Sequence, residues 1–74
     1  MIEKLFRQIE ALFQSGQLAE ALGVCEQAIQ LNTEHPVAYR NLGVVLMEMG
    51  DSNRALSAFD QALELAPGYL DVYY

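Results

Sequence analysis

The sequence repeats itself with a period of 34 residues, and this repeat constrains the possible folds more than any other feature. Eight residues are identical to the residue 34 positions later, and they stand at positions 12, 16, 21, 22, 27, 28, 31 and 39. A period of this length is typical of chains built from stacked supersecondary units, in which each unit buries its apolar face against its neighbour. The sequence therefore predicts two equivalent units rather than one irregular core.

Each unit contains two segments with helical periodicity. The four segments span residues 2–14, 18–31, 37–49 and 52–66, and their apolar residues recur at the i, i+3, i+4 and i+7 spacing of one helix face. Gly16, Gly50 and the pair Pro67-Gly68 stand where helices end, and Pro36 suits a first helical turn. Because the breaks are short, consecutive helices are expected to pack as antiparallel neighbours. The third segment is apolar around most of its circumference, which predicts that other helices cover it on more than one side.

The side chains of the second unit follow a known pattern. It has an aromatic residue, a Leu-Gly pair and small residues at fixed spacing, namely Tyr39, Leu42, Gly43, Ala55, Phe59, Ala62 and Pro67. This pattern resembles the tetratricopeptide repeat family. The first unit departs from it, since Ile9 stands in place of the glycine, Cys25 in place of the aromatic and Thr33 in place of the proline. Such departures are expected of a terminal repeat.

The resemblance implies an all-α superhelix, a solenoid of two antiparallel helix hairpins followed by a helical stub. The first repeat would span residues 2–35, the second 36–69, and residues 70–74 would begin a third, all within one module of residues 1–74. It also implies a function in protein–protein interaction, as a scaffold or adaptor that binds a peptide or protein partner.

Composition and charge argue against several other classes of protein. Hydrophobic residues make up 53% of the chain, but no apolar run approaches the ~20 residues that cross a bilayer, so membrane insertion is not expected. The net charge of −6 disfavours nucleic acid as a partner. One cysteine and one histidine rule out an internal disulfide and a Cys/His zinc site. We therefore expect no cofactor, no enzymatic activity and a cytoplasmic location.

Two side chains capable of chemistry need separate consideration. Cys25 lies on the apolar stripe of the second helix, which predicts a buried, inert thiol. His35 precedes Pro36 between the repeats, which predicts a solvated loop residue. About ten residues of mostly helix separate the two by roughly 13–15 Å, too far for a catalytic pair.

In the family, the first helices of successive repeats line a groove for the partner. By position, the groove residues here would be Phe6, Arg7, Glu10 and Phe13 from the first repeat, with Val37, Arg40, Asn41, Val44, Met47 and Glu48 from the second. The carboxylate clamp that some members use is not expected, because Phe6, Glu10 and Asp71 occupy its positions. Arg7 and Arg40 either orient an acidic or C-terminal group of a peptide, or pair with neighbouring glutamates.

The C-terminal residues suggest a second surface. Leu70, Val72, Tyr73 and Tyr74 form an apolar stub with no following helix to complete its packing. Either the chain is a fragment of a longer repeat protein, or the stub mediates a homodimer. Self-association is therefore the alternative to partner binding in the groove.

Overall fold

The chain folds into four α-helices in the order predicted by the hydrophobic periodicity. The computed structural model describes residues 2–67, in which α1 spans Ile2–Gln14, α2 Leu18–Leu31, α3 Pro36–Glu48 and α4 Ser52–Leu65. The described part contains no strand, so the predicted all-α repeat fold is confirmed. The predicted bounds differ from these by one residue at each end of α3 and at the end of α4. The predicted stub lies outside the described residues.

The two turns within the hairpins use the same device at equivalent positions. Gly16 and Gly50 have φ values of 80° and 87°, a left-handed conformation that costs glycine little. After the second turn, the Asp51 side chain accepts a hydrogen bond of 3.2 Å from the backbone N–H of Arg54 and caps α4. The turn glycines therefore end α1 and α3 as the sequence predicts, and the Asp51 cap marks the start of α4.

The helices form two hairpins, α1–α2 and α3–α4. Most of the side chains buried between the helices are small. Helix α3 packs against α4, α2 and α1, as its apolar circumference predicts. The buried hydrophobic residues are at most 5% exposed, and they are Ile9, Ala21, Cys25, Ala28, Ala38, Val45, Leu46, Ala55, Ala58 and Ala62. Six of these ten are alanines, which allow the helix backbones to approach closely.

Large and small residues exchange places between the two hairpins. In the second hairpin the Phe59 ring lies over Gly43, so that a Cβ atom at residue 43 would lie 2.5 Å from Cε1 of the ring. The residues 34 positions earlier are Cys25 and Ile9, and both are buried in one cluster. A small side chain on α2 therefore accompanies a large one on α1, whereas the order is reversed in α3 and α4. The departures of the first repeat at residues 9 and 25 thus still combine one large and one small side chain.

Two apolar residues that the helical pattern assigns to the core are exposed. Leu56 belongs to the predicted stripe of α4, yet 56% of its surface is accessible, whereas its equivalent Leu22 is partly buried against the core cluster. Leu22 packs against the buried cluster that includes Val45 of α3, whereas no helix of residues 2–67 covers Leu56 in this way. Met49, the last residue of the third predicted segment, is 45% exposed because it follows the last turn of α3.

The contact between Gly43 and Phe59 predicts a destabilising substitution. Gly43→Ala should lower the free energy of unfolding by about 1–3 kcal/mol, because the new methyl group overlaps the Phe59 ring. Urea denaturation followed by circular dichroism measures this change. Gly23→Ala is the matched control within a helix, since its Cβ would meet nothing within 4 Å, and it should stabilise by about 0.5–1 kcal/mol. Equal effects of the two substitutions would show that the Gly43 contact is unimportant.

Candidate functional site

A groove runs between the first helices of the two hairpins. Its volume is about 440 Å³, within the range typical of ligand sites. Helix α1 contributes Phe6, Arg7, Ile9, Glu10, Phe13 and Gln14, and α3 contributes Val37, Arg40, Asn41, Val44 and Val45. We call this surface the α1–α3 groove. It exists because α3 packs mainly on α2 and α4 and touches α1 less, which leaves a channel between α1 and α3.

Eight of the ten residues that the sequence assigns to the groove line this channel. They are Phe6, Arg7, Glu10, Phe13, Val37, Arg40, Asn41 and Val44. Met47 and Glu48 are exposed in the last turn of α3 and lie outside the lining. The structure adds Ile9, Gln14 and Val45 to the lining, of which Ile9 and Val45 are also buried core residues.

The charge of the α1–α3 groove is opposite to that of the whole chain. The protein has 4 basic and 10 acidic residues, but the lining has two basic residues, Arg7 and Arg40, and one acidic residue, Glu10. Arg7 is exposed, whereas Arg40 is half-buried with its Nε atom shielded from solvent. A shielded guanidinium attracts an anion more strongly than an exposed one, because water screens it less. The groove is therefore suited to an acidic group set among apolar contacts.

His35 lies at one end of this groove, and the prediction that it is a solvated loop residue is wrong. Its Nδ1 atom accepts a hydrogen bond of 3.3 Å from the backbone N–H of Val37, so His35 caps the N-terminus of α3. Its ring meets the Phe6 ring edge-on at a centroid distance of 5.0 Å. The contact joins α1 to the start of α3 and holds the Phe6 side chain at the groove.

A backbone hydrogen bond lowers the pKa of the nearby Glu3 carboxyl, and His35 acts in the same direction.

Cys25 is fully buried, as predicted. Burial raises the pKa of its thiol from 9.0 to about 12, and the neighbouring Glu26 acts in the same direction. A thiol that stays protonated at neutral pH is a poor nucleophile and a poor metal ligand. Within residues 2–67, no group of three or more histidine, cysteine, aspartate or glutamate side chains is placed to hold a metal ion. The same residues contain no helix long and apolar enough to cross a bilayer.

Comparison with known proteins matches this chain to repeat proteins. The family model described as tetratricopeptide repeat matches residues 12–74. Protein FlbA of Caulobacter vibrioides is 34% identical over 64 residues, which cover 86% of this chain and 11% of that protein. The peroxisomal targeting signal receptor of Yarrowia lipolytica is 34% identical over 62 residues, which cover 84% of this chain and 10% of the receptor.

The fold is also similar to that of a solved structure. The crystal structure of MamA matches with a TM-score of 0.92 and 29% identity, over 99% of this chain and 43% of that one. This chain therefore spans about a tenth of the length of the two sequence relatives and less than half of the structural one.

The buried thiol predicts slow labelling. At pH 8 the thiolate fraction of Cys25 should be about a thousandfold lower in the folded protein than in the unfolded one, given its pKa of about 12 against 9.0. Iodoacetamide labelling followed by mass spectrometry, with the protein in 8 M urea as control, measures the ratio of rates. The pKa of the thiol is higher in the folded protein than in the unfolded one, so the neutral thiol contributes its full share of the folding stability below pH 9. This contribution is lost as the pH rises towards 12. Equal labelling rates would contradict the buried, inert assignment.

Proposed function

Because this chain belongs to the tetratricopeptide repeat family, we propose that it is a scaffold module whose α1–α3 groove binds a peptide or protein segment. Proteins of this family and fold generally mediate protein–protein interaction. The partner that suits the groove is an extended or helical segment with apolar side chains and one acidic group, either a side chain or the C-terminal carboxylate. The observation that carries this proposal is the excess of basic over acidic residues in the lining of an otherwise acidic chain.

The lining residues divide between two tasks in this proposal. Phe6, Phe13 and Val44 are half-buried and offer apolar surface, whose further burial would favour binding by about 25 cal/mol per Å². Arg40 supplies the charge, and its planar guanidinium can form two parallel hydrogen bonds to a carboxylate. Asn41 is half-buried beside it, and its amide can both donate to and accept from a peptide backbone. Arg7 stands at the exposed edge, where it would attract an acidic partner without holding it.

A relative supports peptide recognition by this fold. The Yarrowia lipolytica protein is, by its name, a receptor for a targeting signal. We extend only the general mode to this chain, namely recognition of a short segment, since the match covers 10% of that receptor. In this proposal the module acts in the cytoplasm, has no enzymatic activity or cofactor, and does not bind nucleic acid.

The central test is an arginine substitution in the groove. A library of fluorescein-labelled octapeptides with free C-termini, half of them acidic, is screened first, and the tightest binder is titrated by anisotropy. Arg40→Ala should weaken its binding about tenfold or more, since the lost charge-assisted hydrogen bond is worth roughly 1.5–3 kcal/mol.

Two controls make this titration specific. Arg54→Ala removes an exposed arginine outside the groove, whose ion pair with Asp51 is long at 3.7 Å, and it should leave the affinity unchanged. Circular dichroism confirms that each variant is folded. An Arg40→Ala protein that binds as tightly as the parent would refute the proposed role of Arg40.

A second candidate function is self-association through the C-terminal face of the module. Leu56 is exposed, whereas its equivalent Leu22 is partly buried. An apolar side chain therefore lies on the outer face of α4. In this proposal Leu70, Val72, Tyr73 and Tyr74 complete the apolar surface and two copies meet there. These four residues lie outside the described part of the chain.

Molar mass decides this second candidate. Size-exclusion chromatography with light scattering, over a concentration series from about 1 to 100 μM, should give a dimer if two copies bury this face. Leu56→Lys should then return the protein to a monomer, whereas Leu31→Lys, at a residue that is 59% exposed on α2, should leave the dimer intact. A parent protein that is monomeric throughout the series would exclude the dimer.

A further inference from the structure

The α1–α3 groove has apolar side chains at both of its ends. Each wall carries two half-buried apolar residues seven positions apart, namely Phe6 and Phe13 on α1 and Val37 and Val44 on α3. The Phe6 ring contacts His35, which caps α3 two positions before Val37, so these residues lie at one end. Because α1 and α3 are both antiparallel to α2, they run in the same direction, and the other two apolar residues lie about 10.5 Å further along. We call Phe6 with Val37 the first apolar pair and Phe13 with Val44 the second.

Polar side chains line the groove between the two apolar pairs. They are Glu10 on α1 and Arg40 and Asn41 on α3. An acidic group that binds Arg40 therefore has apolar contacts available on both sides of it. A chain that ended at this group, as one with a C-terminal carboxylate does, would reach only one of the two pairs. The arrangement thus favours an acidic side chain inside a longer segment.

The charges on α1 indicate where the acidic residue lies. Arg7 directly follows Phe6 of the first pair, whereas Glu10 stands closer to Phe13 of the second pair. Neither Arg7 nor Glu10 forms an ion pair with another residue of the described range 2–67. Because Glu10 repels a carboxylate, the acidic residue is best placed beside the apolar residue that occupies the first pair.

Asn41 indicates the backbone conformation of the bound segment. Its side chain is half-buried and forms no hydrogen bond with any residue in the part of the chain that the structure describes. The amide can donate two hydrogen bonds and also accept. An α-helix uses its backbone groups internally and has none to offer this amide, whereas a polyproline II segment has no internal hydrogen bonds. The groove therefore favours an extended segment over a helix.

The separation of the two apolar pairs selects a residue spacing in such a segment. Polyproline II has three residues per turn and a rise of about 3.1 Å, so residues i and i+3 share a face at ~9.3 Å. This distance is close to the ~10.5 Å between the pairs. In a β-strand the residues on one face are ~6.6 Å or ~13 Å apart, which fits the pairs less well.

We propose that the α1–α3 groove binds an internal segment in the polyproline II conformation, with two large apolar residues three positions apart and one acidic residue between them. This inference rests on the proposed function of the groove and specifies its partner. The two apolar residues contact the two apolar pairs, and the acidic residue lies beside the one at the first pair. Its carboxylate reaches Arg40 and Arg7, while Asn41 binds the backbone.

The test varies the spacing in designed peptides. Each peptide is labelled with fluorescein and amidated at its C-terminus, so that one glutamate is the only acidic residue. The cores are Leu-Glu-Gln-Leu and the reversed Leu-Gln-Glu-Leu, because the segment can run in either direction, and comparison peptides place the leucines two or five positions apart. Titration by anisotropy should show that the better core binds about tenfold tighter than either comparison peptide, since those reach only one apolar pair.

Substitutions connect this preference to the two pairs. Phe13→Ala should weaken the better core about tenfold, but it should not change the affinity of a peptide that keeps only the leucine beside the glutamate. Unchanged binding of that shorter peptide also shows that the variant is folded. Leu31→Ala, at an exposed residue outside the groove, should affect neither peptide. Glu10→Gln should reduce the difference in affinity between the two orders of the core.

Several outcomes would overturn this inference and leave the proposed function intact. They are equal affinities at all spacings, equal affinities of the two orders, and an equal effect of Phe13→Ala on both peptides. Tighter binding of a stapled helix with leucines at i and i+7, or of a peptide whose free C-terminal carboxylate replaces the glutamate, would also overturn it. In each case Arg40→Ala still weakens whichever peptide binds. If no peptide binds, the proposed function fails as well.

Discussion

The close approach of neighbouring helices, through small side chains at their contacts, is the constraint on which the rest of this structure depends. Ala21, Ala28, Ala55 and Ala62 are all inaccessible to solvent, and they occupy two positions that recur after 34 residues. A chain of 74 residues with one cysteine has no disulfide to stabilise it, so its stability depends on the packing of these helices. Ala21 also belongs to the buried cluster that contains Val45 of α3, so the packing of α3 against the first hairpin depends in part on this small side chain.

Helix α1 separates two surfaces of opposite chemistry. Its Arg7 side belongs to the α1–α3 groove, which has more basic than acidic residues in its lining. Its Gln8 and Ala11 side lines a separate cavity between α1 and α2, whose charged lining residue is Glu20. One short helical segment therefore lines both surfaces.

The sequence predicted the helices well because their signals are local. Glycines in left-handed turns, the Asp51 cap and the apolar periodicity each act over a few residues, and the helix bounds agree to within one residue. Most of the groove lining was also predictable, because it follows from placing Phe6 to Phe13 on one helix and Val37 to Val44 on another. What these residues bind is a proposal that the geometry supports but the repeat pattern alone does not specify.

The predictions that failed concern which helix faces are covered. His35 is a cap whose second contact, with Phe6, comes from a residue 29 positions earlier, and no local signal reports such a contact. Leu56 lies on the predicted stripe, but periodicity shows only that residues share a face and not that another helix lies over it.

The reversed order of large and small residues in the two hairpins decides which pieces of this protein are interchangeable. Joining α1 to α4 would bring Ile9 and Phe59 together, two large side chains in the space for one. Joining α3 to α2 would set Gly43 against Cys25 and leave a void. The complete hairpin, rather than the single helix, is therefore the unit that recombination can move between repeats without loss of packing. A substitution at one member of each pair should be tolerated best when the other member compensates for the change in size.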